Sequence, residues 1–257
     1  MNLSNGFAKY TPDRPRPMIV AHRGASGQAP ENTIASFSLA LQQGAHAVEF
    51  DVQQSADRRV VVMHDEALER TTNGKGMIME KDYRELRELD AGSWYSSEFN
   101  GERIPTLEDA LDTITKGGYA LVEIKHGSDI YPGIEKNIAD IVKSKTQWKK
   151  KTVFIAFDPT ILLQLRELDG EISTGLLTAD PPEEYIDVAQ EYRIQCFFPR
   201  WEKLKQDSIS TLHNHGYSVH PWVVDQESDV RKVMSMRPDS ISSNYPARLK
   251  EIFHNPA

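Results

Sequence analysis

Residues 19–65 decide the fold, and they read IVAHRGASGQAPENTIASFSLALQQGAHAVEFDVQQSADRRVVVMHD. Two histidines, His22 and His64, enclose an acidic pair, Glu49 and Asp51. Successive side chains of a strand point to opposite faces, so these carboxylates share one face and the apolar residues of 47–52 share the other. Neighbouring carboxylates repel each other, and hard divalent cations prefer oxygen ligands. The pair indicates a cation site; a solvated edge strand explains it less well, because its apolar face needs cover.

Composition narrows the classes of function. The chain has 257 residues, which suits two small domains or one large barrel, and 39% of them are hydrophobic. A net charge of −8 without a dense basic stripe argues against nucleic-acid binding. The single cysteine, Cys196, excludes an internal disulfide and suits a reducing compartment. Without an apolar leader or a run of ~18 apolar residues, we expect a cytoplasmic protein with no membrane span.

Strand and helix patterns alternate along the chain. The predicted strands are 18–21, 47–52, 119–124, 152–155, 173–177, 194–198, 218–223 and 239–242. The first predicted helix enters at 30–33, with Asn32 or Thr33 as its cap, and runs to about 43. The other predicted helices are 107–115, 130–144, 159–168, 181–192, 205–215, 227–236 and 246–253. Eight such units in about 250 residues predict an α/β fold of the (β/α)₈ TIM-barrel type, with parallel strands.

One segment departs from this alternation. A shorter apolar run at 60–63 ends at His64, and residues 66–104 are then polar and rich in turns. Long segments without periodicity are usually functional insertions or lids. We therefore predict one domain over 1–257, with 66–104 as a small inserted segment after the second strand that walls the substrate pocket.

The barrel prediction also locates the polar strand residues. Active sites of this fold lie at the C-terminal ends of the strands, where the histidines and the acidic pair fall. Glu123 and Lys125 share one face of a later strand, as do His220 and Trp222. Glu49, Asp51 and Glu123 would offer one cation three oxygen ligands. Arg23 and Lys125 would then add positive charge suited to a phosphate.

Other interpretations of these residues are less specific. Glu123 and Lys125 could be an internal ion pair, and His220 could simply fill the barrel mouth. His126 fits a polar loop or the site equally well. The remaining histidines, which show no partner in the sequence, are expected at the surface: His46, His213, His215 and His254. Motifs for zinc, for a nucleophilic serine and for nucleotide binding are absent from the sequence.

The ordered set HRG, PENT, VEFDV, MHDEALERTTNGKG, IPTLEDAL, VEIK and HPWVV resembles the glycerophosphodiester phosphodiesterase family. The resemblance covers 19–246 and implies a TIM barrel with an insertion after the second histidine. It implies one divalent metal ion, Mg²⁺ or Ca²⁺, held by the three carboxylates, with His22 and His64 as acid and base. It also implies phosphate contacts by Arg23 and Lys125 and a pocket lined by Trp222. Two departures, Ala156 and Ser243-Asn244, lie near the expected mouth and bear on alcohol preference.

The expected function is metal-dependent hydrolysis of a glycerophosphodiester, a small-molecule substrate, to an alcohol and glycerol 3-phosphate. No protein nucleophile is recognisable, so the attacking oxygen comes from water or from the substrate; the resemblance implies a cyclic glycerol phosphate intermediate. One alternative is a lysophospholipase D or sphingomyelinase D-like enzyme, which predicts an apolar patch at the mouth, for example from Trp94, Tyr95 and Phe99. The other alternative is a non-catalytic metal- or phosphate-binding barrel, although a mere binder needs no pair of histidines.

Overall fold

A nearly closed barrel of eight parallel strands forms the centre of the computed structural model, which describes residues 6–7 and 17–255. The strands in this part of the chain are β1 (Met18–His22), β2 (Ala47–Gln54), β3 (Val60–Val62), β4 (Tyr119–Ile124), β5 (Thr152–Ala156), β6 (Ser173–Thr178), β7 (Cys196–Pro199), β8 (Ser218–Val219) and β9 (Ser240–Ser243). Eight of them pair in the order β8-β7-β6-β5-β4-β2-β1-β9. The ends of this row meet where the Asp239 N–H donates to the Val219 carbonyl at 2.9 Å and the Ser242 N–H donates to the Pro221 carbonyl at 3.0 Å. The predicted (β/α)₈ class is confirmed.

β3 is an additional strand that pairs antiparallel with β2, with Val62 opposite Val52. Only residues 55–59 connect the two strands, which suffices for a reversal but not for a parallel crossover. Arg58 sits in this turn at φ +65°, and its N–H donates to the Ser55 carbonyl. His64 therefore reaches the mouth because the chain turns back towards it. It does not stand at the end of a parallel barrel strand, as the sequence analysis had placed it.

Ten helices lie outside the strands in the described ranges: α1 (Ile34–Gln42), α2 (Tyr83–Leu86), α3 (Leu107–Ile114), α4 (Ile134–Lys143), α5 (Thr146–Lys151), α6 (Pro159–Leu168), α7 (Ile186–Glu191), α8 (Ser208–Asn214), α9 (Glu227–Ser235) and α10 (Pro246–His254). Thr33 caps α1, since its hydroxyl accepts the Ser36 N–H. The predicted helix 130–144 begins late, because Gly133 adopts φ +79° immediately before α4. Residues 182–185 form a 3₁₀ turn ahead of α7, so the helix predicted there is also shorter.

Apolar side chains fill both sides of the barrel wall. The even-numbered residues of β2, such as Val48 and Phe50, pack outwards in the main core under the helices. The barrel interior holds a second cluster of buried residues: Phe7, Val20, Ala47, Leu121, Val153, Ile155, Leu177, Cys196 and Phe198. Phe7 comes from the N-terminal arm and stacks on His220 with ring centroids 4.6 Å apart. The arm therefore contributes a side chain to the inside of the barrel.

The inserted segment, 66–104, packs on β3 through a small apolar cluster of its own: Val61, Met63, Leu68, Ile78, Leu86, Ala91 and Ile104. Asp90 fixes its turns, because its carboxylate accepts the N–H groups of Gly92, Ser93 and Gly101. Neither this segment nor any other described part of the chain contains a helix with the length and apolar character needed to cross a bilayer.

Candidate active site

Three carboxylates converge at the C-terminal mouth of the barrel. Glu49 and Asp51 point inwards from β2, and Glu123 on β4 lies directly opposite Asp51 in the strand register. One oxygen from each residue lies within 4.8 Å of an oxygen of the other two. Glu49 and Asp51 are only 6% and 1% exposed. The convergence predicted from strand alternation is therefore present.

The electrostatics of this cluster suit a cation. Burial, and then the charges of Asp51 and Glu123, raise the pKa of Glu49 well above its usual value. Burial and Asp51 raise the pKa of Glu123 to about 7. Burial alone would also raise the pKa of Asp51, but Arg23 and Lys125 lower it. The Oδ1 atom of Asp51 is buried without a hydrogen-bond partner among the described residues. An all-oxygen donor set with an unsatisfied buried oxygen fits a hard divalent ion.

Two cationic side chains flank the carboxylates. The Lys125 Nζ donates to Glu123 Oε1 at 2.7 Å and lies 3.6 Å from Asp51 Oδ1. The Arg23 Nε lies 3.4 Å from Asp51 Oδ2, and the Arg23 N–H donates to Glu49 Oε2 at 3.1 Å. Arg23 adopts φ +56°, a costly conformation for a residue other than glycine. This backbone conformation aims both its N–H and its guanidinium at the carboxylates.

His22 is held through its Nδ1 atom. This nitrogen donates to Asn244 Oδ1 at 2.8 Å, and the Asn244 Nδ2 in turn donates to Asp225 Oδ2 at 2.6 Å. Because the amide presents its oxygen to the ring, the proton of neutral His22 resides on Nδ1. The unprotonated Nε2 lies 3.9 Å from Glu49 Oε2. Burial, with the nearby charge of Arg23, lowers the pKa of His22 to about 4.

His64 has a different partner. Its Nδ1 donates to Asp65 Oδ1 at 2.6 Å, and a hydrogen bond from Arg70 lowers the pKa of Asp65 strongly. The backbone carbonyl of His64 accepts a hydrogen bond from the Gln53 side chain at 2.9 Å. The Tyr131 hydroxyl donates to the Gln53 carbonyl oxygen at 2.5 Å. The ring therefore lies beside a permanent negative charge, whereas His22 lies beside a neutral amide.

The two histidines line one cavity of about 130 Å³. Its polar wall consists of His22, Arg23, Glu49, His64, Glu123, Lys125 and Ser242. Its other wall is apolar and consists of Ile155, Phe157, Leu177, Phe198 and Trp222. The Trp222 indole N–H donates to the Phe198 carbonyl at 2.7 Å, and the Trp222 ring meets Phe157 edge-on. Seven of the eight residues proposed from the sequence line this cavity, and Asp51 lies behind it among the carboxylates.

The inserted segment approaches this cavity without lining it. His64 precedes the segment and borders the cavity, but its walls include no residue of 66–104. Glu66 reaches across the mouth to His126 Nε2 at 2.8 Å, and Arg70 contacts Asp65. The expectation that this segment walls the substrate pocket therefore stays a prediction, since the segment contributes no residue to the cavity itself. The contacts of the segment with the site are ion pairs at its edge.

The remaining histidines divide by their surroundings. His220 is fully buried inside the barrel, stacked on Phe198 and hydrogen-bonded to the hydroxyls of Ser218 and Ser240. It does not line the cavity. His213 was expected at the surface without a partner. Instead, its Nε2 lies 2.8 Å from Asp239 Oδ2. The sequence could not reveal this pair, since strand and helix bring together residues far apart in the chain.

Asn32 and Gln53 are among the residues around the site that the sequence analysis missed. Asn32 was considered only as a helix cap, but its side-chain amide donates to Asp51 Oδ2 at 2.9 Å, and its own backbone has φ +59°. Gln53 was not considered, although it follows Asp51 on the same strand face. Strand alternation alone could have identified Gln53. The contact of Asn32 with Asp51 depends on a left-handed backbone conformation at Asn32, which the sequence pattern does not predict.

A larger groove of about 650 Å³ lies on the outside, between the inserted segment and α3. Its lining contains no histidine. Its acidic residues already serve the fold: Asp109 accepts the Thr106 N–H at the start of α3, and Asp112 pairs with Lys145. The chemistry of the protein therefore belongs to the smaller cavity.

Comparisons with known proteins show similarity over most of the chain. A family model described as "Glycerophosphoryl diester phosphodiesterase family" matches residues 22–248. YhdW of Bacillus subtilis is 35% identical over 89% of this chain and 94% of its own length. A glycerophosphodiester phosphodiesterase of the same organism is 33% identical, over 95% and 87%. The structure of an Oleispira antarctica phosphodiesterase in complex with the product sn-glycerol-3-phosphate is 31% identical, with a TM-score of 0.88, and covers 93% of this chain and 98% of its own.

Proposed function

Because the chain belongs to the glycerophosphoryl diester phosphodiesterase family, we propose that it hydrolyses glycerophosphodiesters to an alcohol and sn-glycerol 3-phosphate. One observation carries the proposal: two histidines in different states of hydrogen bonding line the same cavity as Arg23, Lys125 and the carboxylate cluster. A phosphodiester is anionic, and its transition state carries further charge that the cationic groups would offset.

Glu49, Asp51 and Glu123 would hold one divalent metal ion. Mg²⁺ and Ca²⁺ suit a site made only of carboxylates. When bound, such an ion polarises phosphoryl oxygens and offsets their negative charge. The three carboxylates outnumber the two flanking cationic side chains, Arg23 and Lys125. The ionised cluster therefore has an excess of negative charge with which to bind a metal ion.

His22 acts as the base and His64 as the acid in the first step. Asn244 fixes the His22 proton on Nδ1, so Nε2 is free to accept a proton from the attacking oxygen. Asp65 accepts the hydrogen bond from His64 Nδ1 and fixes the ring, so that a proton on Nε2 can pass to the leaving alcohol. When water later attacks, the two residues exchange roles, because the reverse transfers are then required.

The attacking oxygen is the hydroxyl next to the esterified carbon of glycerol. Among the described residues of the cavity wall, Ser242 carries the lone hydroxyl group, and its side chain makes no hydrogen bond to a histidine, so the wall offers no activated nucleophile. An intramolecular attack avoids the entropy of recruiting water, which is worth up to ~7–11 kcal/mol in well-oriented systems. A deoxy analogue of the substrate should therefore bind but turn over very slowly, and equal rates for both diesters would show direct attack by water.

A second candidate is hydrolysis of lysophospholipids by the same chemistry. The apolar wall that ends at Phe157, which is 48% exposed, would accommodate aliphatic groups next to the phosphate. Trp94 and Tyr95, which that alternative would use, are exposed and pack on each other, but neither lines the cavity. Comparing kcat/KM for glycerophosphocholine and lysophosphatidylcholine separates the two, and we expect the water-soluble diester to be preferred, because the cavity is small.

The direct test of the proposal is turnover of glycerophosphocholine before and after chelation. Chelated enzyme should be inactive, and Mg²⁺, Mn²⁺ or Ca²⁺ should restore at least part of the rate. Absence of turnover with every one of these ions, in folded protein, would contradict the proposed reaction.

A further inference from the structure

Arg70, a residue of the inserted segment, joins two carboxylates from different parts of the site. Its Nε donates to Asp65 Oδ2 at 2.5 Å, and its Nη2 reaches Asp65 Oδ1 at 3.1 Å. Its two terminal nitrogens also donate to the two oxygens of Glu31, each at 2.8 Å. The planar guanidinium thus makes paired contacts with both carboxylates, a geometry that a lysine cannot reproduce.

The first carboxylate is the partner of His64. In the part of the chain that the structure describes, the side chain of Asp65 has two hydrogen-bonding partners, His64 and Arg70. With Oδ2 held by Arg70, Oδ1 faces the imidazole at 2.6 Å. Removal of Arg70 would leave this carboxylate, which is 31% exposed, free to rotate towards solvent.

The second carboxylate anchors Arg70 to the rigid part of the site. Glu31 is 15% exposed and also accepts a hydrogen bond from the Arg23 Nη1 at 2.9 Å. Its neighbour Asn32 is fixed to Asp51. Burial alone would raise the pKa of Glu31, but the hydrogen bond from Arg70 and the charge of Arg23 lower it, so Glu31 stays charged.

We propose that Arg70 is a positioning residue that orients His64, through Asp65, for protonation of the leaving alcohol. The inference rests on the proposed function. In the step concerned, the substrate oxygen that His22 deprotonates forms a bond to phosphorus. The bond from phosphorus to the leaving oxygen breaks, and the His64 proton moves to that oxygen. A leaving group that needs no proton should be insensitive to the orientation of His64.

The experiment compares two glycerophosphodiesters, one with choline and one with 4-nitrophenol as the leaving group. The measured quantity is kcat/KM, which reports the steps up to departure of the leaving group. Arg70→Ala should lower it at least ~10-fold for the choline ester, the scale found for partners that orient a functional imidazole. The loss for the 4-nitrophenyl ester should be less than about threefold, because that alcohol leaves as an anion.

Chemical rescue separates positioning from a general effect on the fold. Arg70 is 43% exposed, so millimolar guanidinium should enter the vacated position and restore turnover of the choline ester by Arg70→Ala. Arg87→Ala is the matched control. Arg87 is another exposed arginine of the inserted segment and does not line the cavity. Its Nε lies 3.8 Å from the carboxylate of Glu88. This variant should keep wild-type kinetics and show no response to guanidinium.

Asp65→Asn provides a second route should Arg70→Ala fail to fold. It should show the same dependence on the leaving group, and guanidinium should not restore it. Equal losses on both esters, or no loss on either, would overturn the assignment of Arg70. Absence of wild-type turnover of both esters in the presence of metal would instead contradict the proposed function, so the two failures are distinguishable.

Discussion

Replacement of Asp51 with asparagine should abolish the thermal stabilisation that a divalent cation gives this protein. Asparagine has the same shape and can still accept the hydrogen bond from Asn32 that now reaches Asp51 Oδ2 at 2.9 Å. It lacks the charge of the second oxygen, which is buried without a hydrogen-bond partner in the described structure. The substitution therefore removes one metal ligand with little change in packing.

The magnitude follows from the distances. The carboxylate oxygens lie within 4.8 Å of one another, so one ion can contact all three residues. A unit charge about 4 Å from another interacts by about 4 kcal/mol at an effective dielectric constant of 20, so the Kd for a divalent ion should rise ~10³-fold or more. Metal at 100 times the wild-type Kd stabilises by about 2.7 kcal/mol, or ~5–11 °C in Tm for a chain of this size. In the variant the same concentration should give no measurable shift.

Thermal unfolding of chelated protein, with and without added Mg²⁺, Mn²⁺ or Ca²⁺, measures this effect. Asp239→Asn is the matched control, because Asp239 is also a buried aspartate, 4% exposed, but immediately precedes β9 at the opposite end of the barrel from the mouth. That variant should unfold at a lower temperature and keep the full metal-dependent increment. An Asp51→Asn protein with the wild-type increment would show that the ion binds elsewhere.

Three further outcomes test other parts of the structure. His22→Ala and His64→Ala should each lower kcat by ~10²-fold or more in steady-state kinetics, with little loss of Tm in thermal unfolding. Near-normal turnover by either variant would assign that histidine a structural role. Phe7→Ala should cost about 3–5 kcal/mol by denaturant unfolding, because this fully buried ring lies inside the barrel, whereas Phe157→Ala at the exposed rim should cost far less. Burial alone would raise the pKa of Asp239, but hydrogen bonds from a histidine and a backbone N–H lower it. The stability that the charged carboxylate adds should be complete above pH ~4 and lost as the pH falls through the lowered pKa. The free energies of unfolding of wild type and Asp239→Asn should therefore converge in acid.

The sequence carried enough information to predict the carboxylate cluster, because that cluster depends on two regular features. Strand alternation puts Glu49 and Asp51 on one face, and parallel pairing of neighbouring barrel strands puts Glu123 opposite Asp51. Both features are local or follow from the fold class. The same reasoning placed Trp222 at the cavity, although β8 itself ends at Val219.

The surroundings of the histidines could not be predicted in this way. Asn244 meets His22 from the last strand, and Arg70 reaches Glu31 from an irregular segment, so no periodicity relates either pair. Phe7 lies in a polar arm, where scattered apolar residues give no periodicity from which its burial could be predicted. The antiparallel direction of β3 could have been predicted from the sequence, because a connection of five residues is too short for a parallel crossover.

The register of β2 sets the distance between the carboxylate cluster and His64. Glu49, Asp51 and Gln53 follow one another on the inner face of this strand. The first two belong to the carboxylate cluster, and the Gln53 amide donates to the backbone carbonyl of His64. A shift of one residue would turn all three side chains to the other face. Because β2 pairs with β4 on one edge and with β1 and then β3 on the other, all three neighbours oppose such a shift. The spacing between the carboxylate cluster and His64 is therefore fixed by backbone pairing, and the side-chain contacts of Asp65 and Arg70 need only orient a ring that is already in place.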